Sequence, residues 1–229
     1  SAAVNGVTNC VAIDTETTAL DPMTARLVGI SLSIEPGVAC YIPVAHRGPD
    51  ASQQLARAEV LARMKPWLQE HRATKVLHHA KYDTHVFANE GIDLQGVADD
   101  TMLQAYVLES HRGVSLHDLS QRILGVKGLT YEEICGKGVH QIGFDEVDLE
   151  RATQYACEDA DFTLRLHRAL RPQVKENPKL EFIYALEMQV SRVLFEIECS
   201  GVMIDATELG RQSHALGQEM LSLEQRAYT

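Results

Sequence analysis

The sequence predicts an α/β fold with the strands gathered near its start. Three short apolar or alternating runs occupy the first part, a Pro–Gly turn joins two of them, and helical patterns dominate thereafter. Val11-Ala-Ile13 is the first strand and leads directly into Asp14. Arg26 to Ile34 and Val38 to Val44 alternate well enough to be the next two, and Glu35-Pro-Gly37 between them suits a tight turn. Together they read as an antiparallel meander.

Helices follow. Ser52 to His71 has helical composition, with Pro66 expected to break or kink it. Lys75 to His79 is a short strand. Lys81 to Glu90 is helical and stops at Gly91. Thr101 to Ser110 is a helix capped by Asp99 or Asp100, and Ser115 to Leu124 is another, ended by Gly125. Thr130-Tyr-Glu-Glu133 matches a capping box. The longest clean pattern runs from Asp148 to Leu170, where Ala152, Ala156, Ala160 and Leu164 form an i,i+4 stripe and Pro172 is expected to end it. A break is expected between Arg171 and Asn177. Asn177-Pro178 then starts a helix to about Ser200, Val202 to Asp205 is extended, and Ala206 to Tyr228 is helical.

Composition sets limits. The chain has 229 residues, 45% hydrophobic and 23% charged, within the ordinary globular range. No apolar run approaches the roughly 20 residues that span a bilayer. Residues 1–9 lack a secretion-signal pattern and read as a linker remnant. The five cysteines are odd in number and none are spaced C-x-x-C, which argues for reduced thiols rather than a disulfide framework or a structural zinc site. The formal charge of −11 opposes nonspecific attraction to a polyanion, so a nucleic-acid partner would have to be gripped locally or through metal ions.

Three groups of residues carry chemistry. Asp14 and Glu16 lie at i and i+2 on a strand and share a face, with Thr15 pointing away. Two adjacent carboxylates repel unless a cation or proton sits between them, and hard divalent ions prefer oxygen ligands. Tyr155 and Asp159 share a helix face at i,i+4. Asp83 sits where a strand passes to a helix. Each has an ordinary explanation alone: a solvated turn, a surface Asp beside a core Tyr, a helix-dipole partner. The ordered set of D-x-E, Y-D and Y-x-x-x-D is far more specific.

In that order the set resembles the DEDD exonuclease superfamily, in particular the proofreading domain of bacterial, family A DNA polymerases. Ala12-Ile-Asp-Thr-Glu-Thr17, Leu27-Val-Gly-Ile-Ser31, Glu35-Pro-Gly37, Tyr41-Ile-Pro-Val-Ala-His46, Asp100-Thr-Met-Leu103, Glu132-Glu-Ile134, Gly136-Lys-Gly138 and Tyr155-Ala-Cys-Glu-Asp-Ala-Asp161 all match in sequence order. The resemblance covers about residues 10 to 229. It implies an RNase H-like fold: a mixed sheet, its first three strands antiparallel, flanked by helices and followed by a helical C-terminal extension. It implies an exonuclease domain at 10–174 and the truncated start of a polymerase domain at 175–229, without palm or fingers motifs.

The resemblance also implies a mechanism. Asp14, Glu16 and Asp159 would hold one divalent ion, with Asp14 and Asp83 holding a second; Mg²⁺ or Mn²⁺ fits both, and Zn²⁺ could occupy one. Tyr155 would orient the attacking water; the related histidine subclass is disfavoured because Gln154 stands at its histidine position. Leu20 and Tyr131 match positions that meet the terminal bases, and His79 and Tyr82 positions near the terminal phosphates. Lys81 and Arg112 could add positive charge. His78-His79 stands where the family usually has Gln-Asn. The implied partners are a single-stranded or frayed DNA 3′ end and the rest of a polymerase chain, with no membrane, for a monomer in the bacterial cytosol. Two other readings remain at this point: an RNA-trimming ribonuclease D-like enzyme, and an inert module supporting a polymerase.

Overall fold

The structure is a computed structural model and describes residues 10–48, 51–52 and 54–228. The expected linker at 1–9 lies outside the described residues. Strand β1 (Val11–Thr17) is the centre of a five-stranded sheet ordered β3-β2-β1-β4-β5. It pairs antiparallel with β2 (Leu27–Glu35), which pairs antiparallel with β3 (Val38–Pro43). On the other side β1 pairs parallel with β4 (Lys75–Leu77), and β4 with β5 (Val97–Asp100). The expected meander is present, and the sheet is mixed.

Side-chain alternation splits the core into two layers. Ile13, Leu27, Ile30 and Leu77 face helices α1 (Arg57–Leu68) and α2 (Ala80–Asn89), and are buried with Val60, Leu68, Val86 and Phe87. On the opposite face Ala12 and Val76 meet Leu164 of the long helix α6 (Leu149–Glu176). The predicted Ala152, Ala156, Ala160 and Leu164 stripe is wholly buried, and its small side chains let α6 lie close to the sheet. Helix α3 (Thr101–Leu108) packs beside α6 through Ala105, Leu166 and Leu170, together with Leu119 of the short α4 (Leu116–Leu119). The chain then widens into a π turn over Ser120–Leu124, stopped by Gly125 at φ 68°. The short α5 (Tyr131–Cys135) opens on the predicted Thr130–Glu133 capping box.

Two prolines do not act as expected. Pro172 was expected to end α6, and the helix instead runs on to Glu176; Pro66 sits within α1 rather than breaking it. Both prolines are exposed, while the residues just beyond them, Leu68 and Val174, are completely buried. Burial on both sides of each proline outweighs the lost backbone hydrogen bond. Asn177 caps the next helix through its side chain, which accepts from the Lys179 N–H at 3.0 Å, and Pro178 opens α7 (Pro178–Ser200) as expected.

The chain divides into a compact unit from Ser1 to Phe195 and a second from Glu196 to Thr229. Tyr184 of α7 is buried in the first unit, and its hydroxyl donates to Asp99 at 2.8 Å. The second unit carries helix α8 (Ala206–Ala227), N-capped by Asp205. Among the described residues, no helix is long and apolar enough to cross a membrane.

Candidate active site

Strand β1 places Asp14 and Glu16 on the face toward α6, and α6 supplies Asp159 from its third turn. The three side chains each offer a carboxylate oxygen, and these oxygens lie within 4.8 Å of one another. Glu16 is 6% exposed, and its Oε1 is buried with no hydrogen-bond partner. A buried polar atom without a partner carries a desolvation penalty of roughly 1–3 kcal/mol, more when charged. Burial raises the pKa of Asp14 to about 6. Burial and the charges of Asp14 and Asp159 push Glu16 well above the usual carboxylate range, and burial with the Asp14 charge does the same to Asp159. Three acids so placed are in electrostatic conflict, and a hard divalent cation resolves it. The residues present therefore fit a metal ion.

Asp83 is close to this group but held differently. It lies in the first turn of α2, is 2% exposed, and accepts a 2.6 Å hydrogen bond from Thr15 Oγ1. Thr15 points to the sheet face opposite Glu16, as predicted, and is thereby the tether for the fourth acid. Burial and the Asp14 charge raise the Asp83 pKa well above normal. Asp83 thus joins the site electrostatically through Asp14 rather than as a member of the three-oxygen cluster.

Tyr155 lies one turn before Asp159 on the same face of α6. Burial and the charges of Asp159 and Glu16 drive its hydroxyl pKa far above the normal value, so it keeps its proton. The phenol packs with Tyr41 and Phe144 against Val28, Ile134 and Cys135.

The other predicted residues fall into two groups. Leu20 is 93% exposed and Tyr131 is 37% exposed, so both offer apolar surface to solvent. Tyr82 instead turns its hydroxyl inward: it donates to the Ala19 carbonyl at 2.6 Å and hydrogen-bonds Thr17 Oγ1. It fixes the loop that presents Leu20. Lys81 is half-buried, and Arg112 pairs with Glu109 at 3.3 Å.

The two histidines diverge. His78 hydrogen-bonds Thr101 Oγ1 at 2.8 Å through Nδ1, and burial lowers its pKa to about 4, so it is a neutral structural group. His79 is exposed and adopts φ 70°, a left-handed conformation that no other non-glycine among the described residues adopts. Its backbone N–H and that of Ala80 both donate to Asp100, at 3.2 and 2.7 Å. A strained residue at the start of the helix that carries Asp83 is the pattern expected beside a working site.

Tyr41 and His46, which lie in the Tyr41-Ile-Pro-Val-Ala-His46 motif, also meet near the site. In the structure Tyr41 Oη and His46 Nε2 are hydrogen-bonded at 2.8 Å. A Cβ on Gly29, the cross-strand partner of Glu16, would meet Tyr41 Oη at 2.1 Å. A glycine facing an acid across two strands was the available signal.

The comparisons with known proteins agree with this geometry. A family model described as 3′–5′ exonuclease matches residues 2–175. DNA polymerase I of Pseudomonas aeruginosa is 44% identical over 224 residues, covering 95% of this chain and 24% of that protein. DNA polymerase I of Chloroflexus aurantiacus is 35% identical, covering 95% and 23% respectively. The chain thus spans about a quarter of the length of these relatives. Among solved structures, the polymerase domain of Pol1 from M. smegmatis, in complex with primer-template DNA and dNTP, superposes with a TM-score of 0.70 at 24% identity, over 95% of this chain and 33% of that one. Escherichia coli RNase D gives 0.59 at 20% identity, over 82% and 45%. These last two show the shared RNase H-like exonuclease fold. With the family model covering most of its length and relatives of this identity, the chain belongs to the 3′–5′ exonuclease family found within bacterial DNA polymerase I.

Proposed function

We propose that this chain removes nucleotides one at a time from the 3′ end of a DNA strand by metal-dependent hydrolysis, as the proofreading part of a polymerase. The observation that carries the reading is the cluster of Asp14, Glu16 and Asp159, in which the buried Glu16 has an oxygen without a partner. Asp14, Glu16 and Asp159 would hold one divalent ion, and Asp14 with Asp83 a second. Mg²⁺ or Mn²⁺ suits an all-oxygen donor set, and Zn²⁺ is tolerated in one position. Such ions supply Lewis-acid stabilisation of the phosphodiester and a lowered pKa for bound water.

The protein's own groups do the positioning. Tyr155 remains a neutral phenol one helical turn from Asp159 and orients the attacking water. Water loses a proton to solvent as its oxygen bonds to the terminal phosphorus, the bond from that phosphorus to the 3′ oxygen of the preceding nucleotide breaks, and that oxygen takes a proton from solvent, releasing a nucleoside 5′-monophosphate and a 3′-hydroxyl end. Leu20 and Tyr131 contact the terminal bases. His79, exposed at the start of α2, meets the backbone phosphates through its side chain. Tyr82 contributes by holding the Leu20 loop.

DNA rather than RNA as substrate is supported by the identity of the DNA polymerase I relatives; the likeness to RNase D is one of fold. The exonuclease part would comprise residues 10–174, with 175–229 beginning the polymerase part, in a monomeric protein of the bacterial cytosol. A labelled single strand incubated with Mn²⁺ should shorten from its 3′ end, and Asp14→Ala should abolish the shortening. Equal shortening by Asp14→Ala, or faster degradation of a matched RNA than of DNA, would sink the reading.

A further inference from the structure

Tyr41 and His46 take no part in the mechanism above, yet the structure invests several contacts in holding them beside it. His46 is 4% exposed. Its backbone is clamped on both sides by one side chain: the His46 N–H donates to Gln54 Oε1 at 2.9 Å, and Gln54 Nε2 donates to the His46 carbonyl at 2.9 Å. The next residue, Arg47, pairs with the nearly buried Asp145, and its N–H donates to the Asp145 carbonyl at 2.7 Å. The His46 ring meets Tyr41 edge-on at 5.8 Å between centroids and Phe144 at the same separation. Phe144 in turn lies 5.8 Å from Tyr155. A continuous row of rings therefore joins Tyr41 to Tyr155 through His46 and Phe144.

The position of the Tyr41 hydroxyl is set by an absence of side chain. Gly29 is paired directly with Glu16 across β1 and β2, so a side chain at 29 would stand next to Glu16 on the same face. Tyr41 Oη occupies that space, 2.1 Å from where the Cβ would be. The hydroxyl of Tyr41 thus takes the place of a side chain at the position paired with Glu16, the residue whose Oε1 has no partner. In keeping with this placement, burial and then the charges of Glu16 and Asp14 raise the Tyr41 pKa.

We propose that Tyr41, anchored by His46, is a positioning residue for Glu16. The ring fills the site wall over Gly29 and the His46 hydrogen bond fixes the ring, so that the Glu16 carboxylate is confined to the arrangement that faces Asp14 and Asp159. The same aromatic row steadies Tyr155. Neither Tyr41 nor His46 contacts the reacting atoms; both act through Glu16 and Tyr155. This inference rests on the exonuclease reading.

The test uses the 229-residue chain with Tyr41→Phe, His46→Leu and His46→Gln. Two quantities are read: Mn²⁺ affinity by electron paramagnetic resonance without DNA, and steady-state cleavage of an oligonucleotide. Tyr41→Phe should weaken Mn²⁺ binding and lower kcat, each about tenfold, the scale on which groups that orient metal ligands act, with KM within about twofold of native. His46→Leu should do the same, and His46→Gln, which can still hydrogen-bond the phenol, should recover most of both. Native values in Tyr41→Phe, or equal losses in His46→Leu and His46→Gln, would overturn the proposal while leaving the exonuclease reading intact. If Tyr41→Phe fails to fold, the His46 pair decides. A native chain that neither binds Mn²⁺ nor cleaves would overturn both.

Discussion

The protein builds two clusters of acids, each around one buried carboxylate, and they are opposites. Around β5, Asp100 accepts hydrogen bonds from four backbone N–H groups, those of His79, Ala80, Met102 and Leu103. Its neighbour Asp99 accepts from Gln104 at 3.0 Å and Tyr184 at 2.8 Å, and pairs with Arg171 at 2.9 Å. At the end of β1, three carboxylates crowd within 4.8 Å and one oxygen has no partner. The first cluster joins β4, β5, α2, α3, α6 and α7. The second is left with its charge unbalanced. The acids that organise the fold are surrounded by donors, whereas the acids at the end of β1 are kept short of them.

Several measurements would break or sharpen that contrast. The largest effect is expected for Asp14→Ala, which should lower kcat on the order of 10⁴-fold, the scale seen when one member of a catalytic unit is removed. Its folding stability should not fall. Asp100→Ala should do the reverse: it strands two helix starts, each cap being worth roughly 1 kcal/mol, and leaves buried N–H groups without an acceptor. A loss of about 3 kcal/mol in urea unfolding is expected, and a loss below about 1 would show that the two clusters do not differ as described.

Next comes pH. The folded-state pKa of Asp14 is raised from 3.8 to about 6. The folded protein therefore holds this proton more tightly than the unfolded chain does. The resulting stability is fully present below pH 3.8 and is lost as pH rises through about 6. The metal-free protein should show a falling Tm across that window, and saturating Mn²⁺ should flatten the fall by mass action. Asp14→Asn should raise the metal-free Tm at pH 8 by about 2–4 °C, equivalent to on the order of 1 kcal/mol. An unchanged or lower Tm would mean that the acids are not in conflict.

The smallest effect is expected at the rim. Tyr131→Ala should raise KM for a single strand roughly fivefold, about 1 kcal/mol of lost stacking, with a lesser effect on kcat. Leu20→Ala should act in the same direction and more weakly. If both leave KM unchanged, these exposed side chains do not meet the strand.

The contrast also explains what could be read in advance. Asp14 and Glu16 followed from strand alternation, and Tyr155 with Asp159 from helix spacing, because both periods are local. The α6 stripe and the Thr130 capping box were legible for the same reason. Pro66 and Pro172 were misleading because the residues that override them, Leu68 and Val174, do so by burial that only the tertiary structure creates. Nothing in the order of residues distinguishes His78, bound to Thr101, from His79, exposed one position later. The partnership of Tyr41 with Glu16 runs through Gly29, three strands deep, and depends on register. The donors of Asp99 come from as far away as Tyr184, beyond the reach of any spacing rule.

Asp100 has one more consequence. It satisfies the first N–H groups of α3 and also the turn that opens α2, whose first helical turn carries Asp83. The start of α2 has this acceptor only when β5 lies alongside β4. The acids of β1 can pair their strand early, through contacts close in sequence, but Asp83 waits for a more distant segment to dock. The start of α2 that carries Asp83 is thus complete only when β5 pairs with β4, whereas Asp14 and Glu16 are in register within the β1–β3 meander alone.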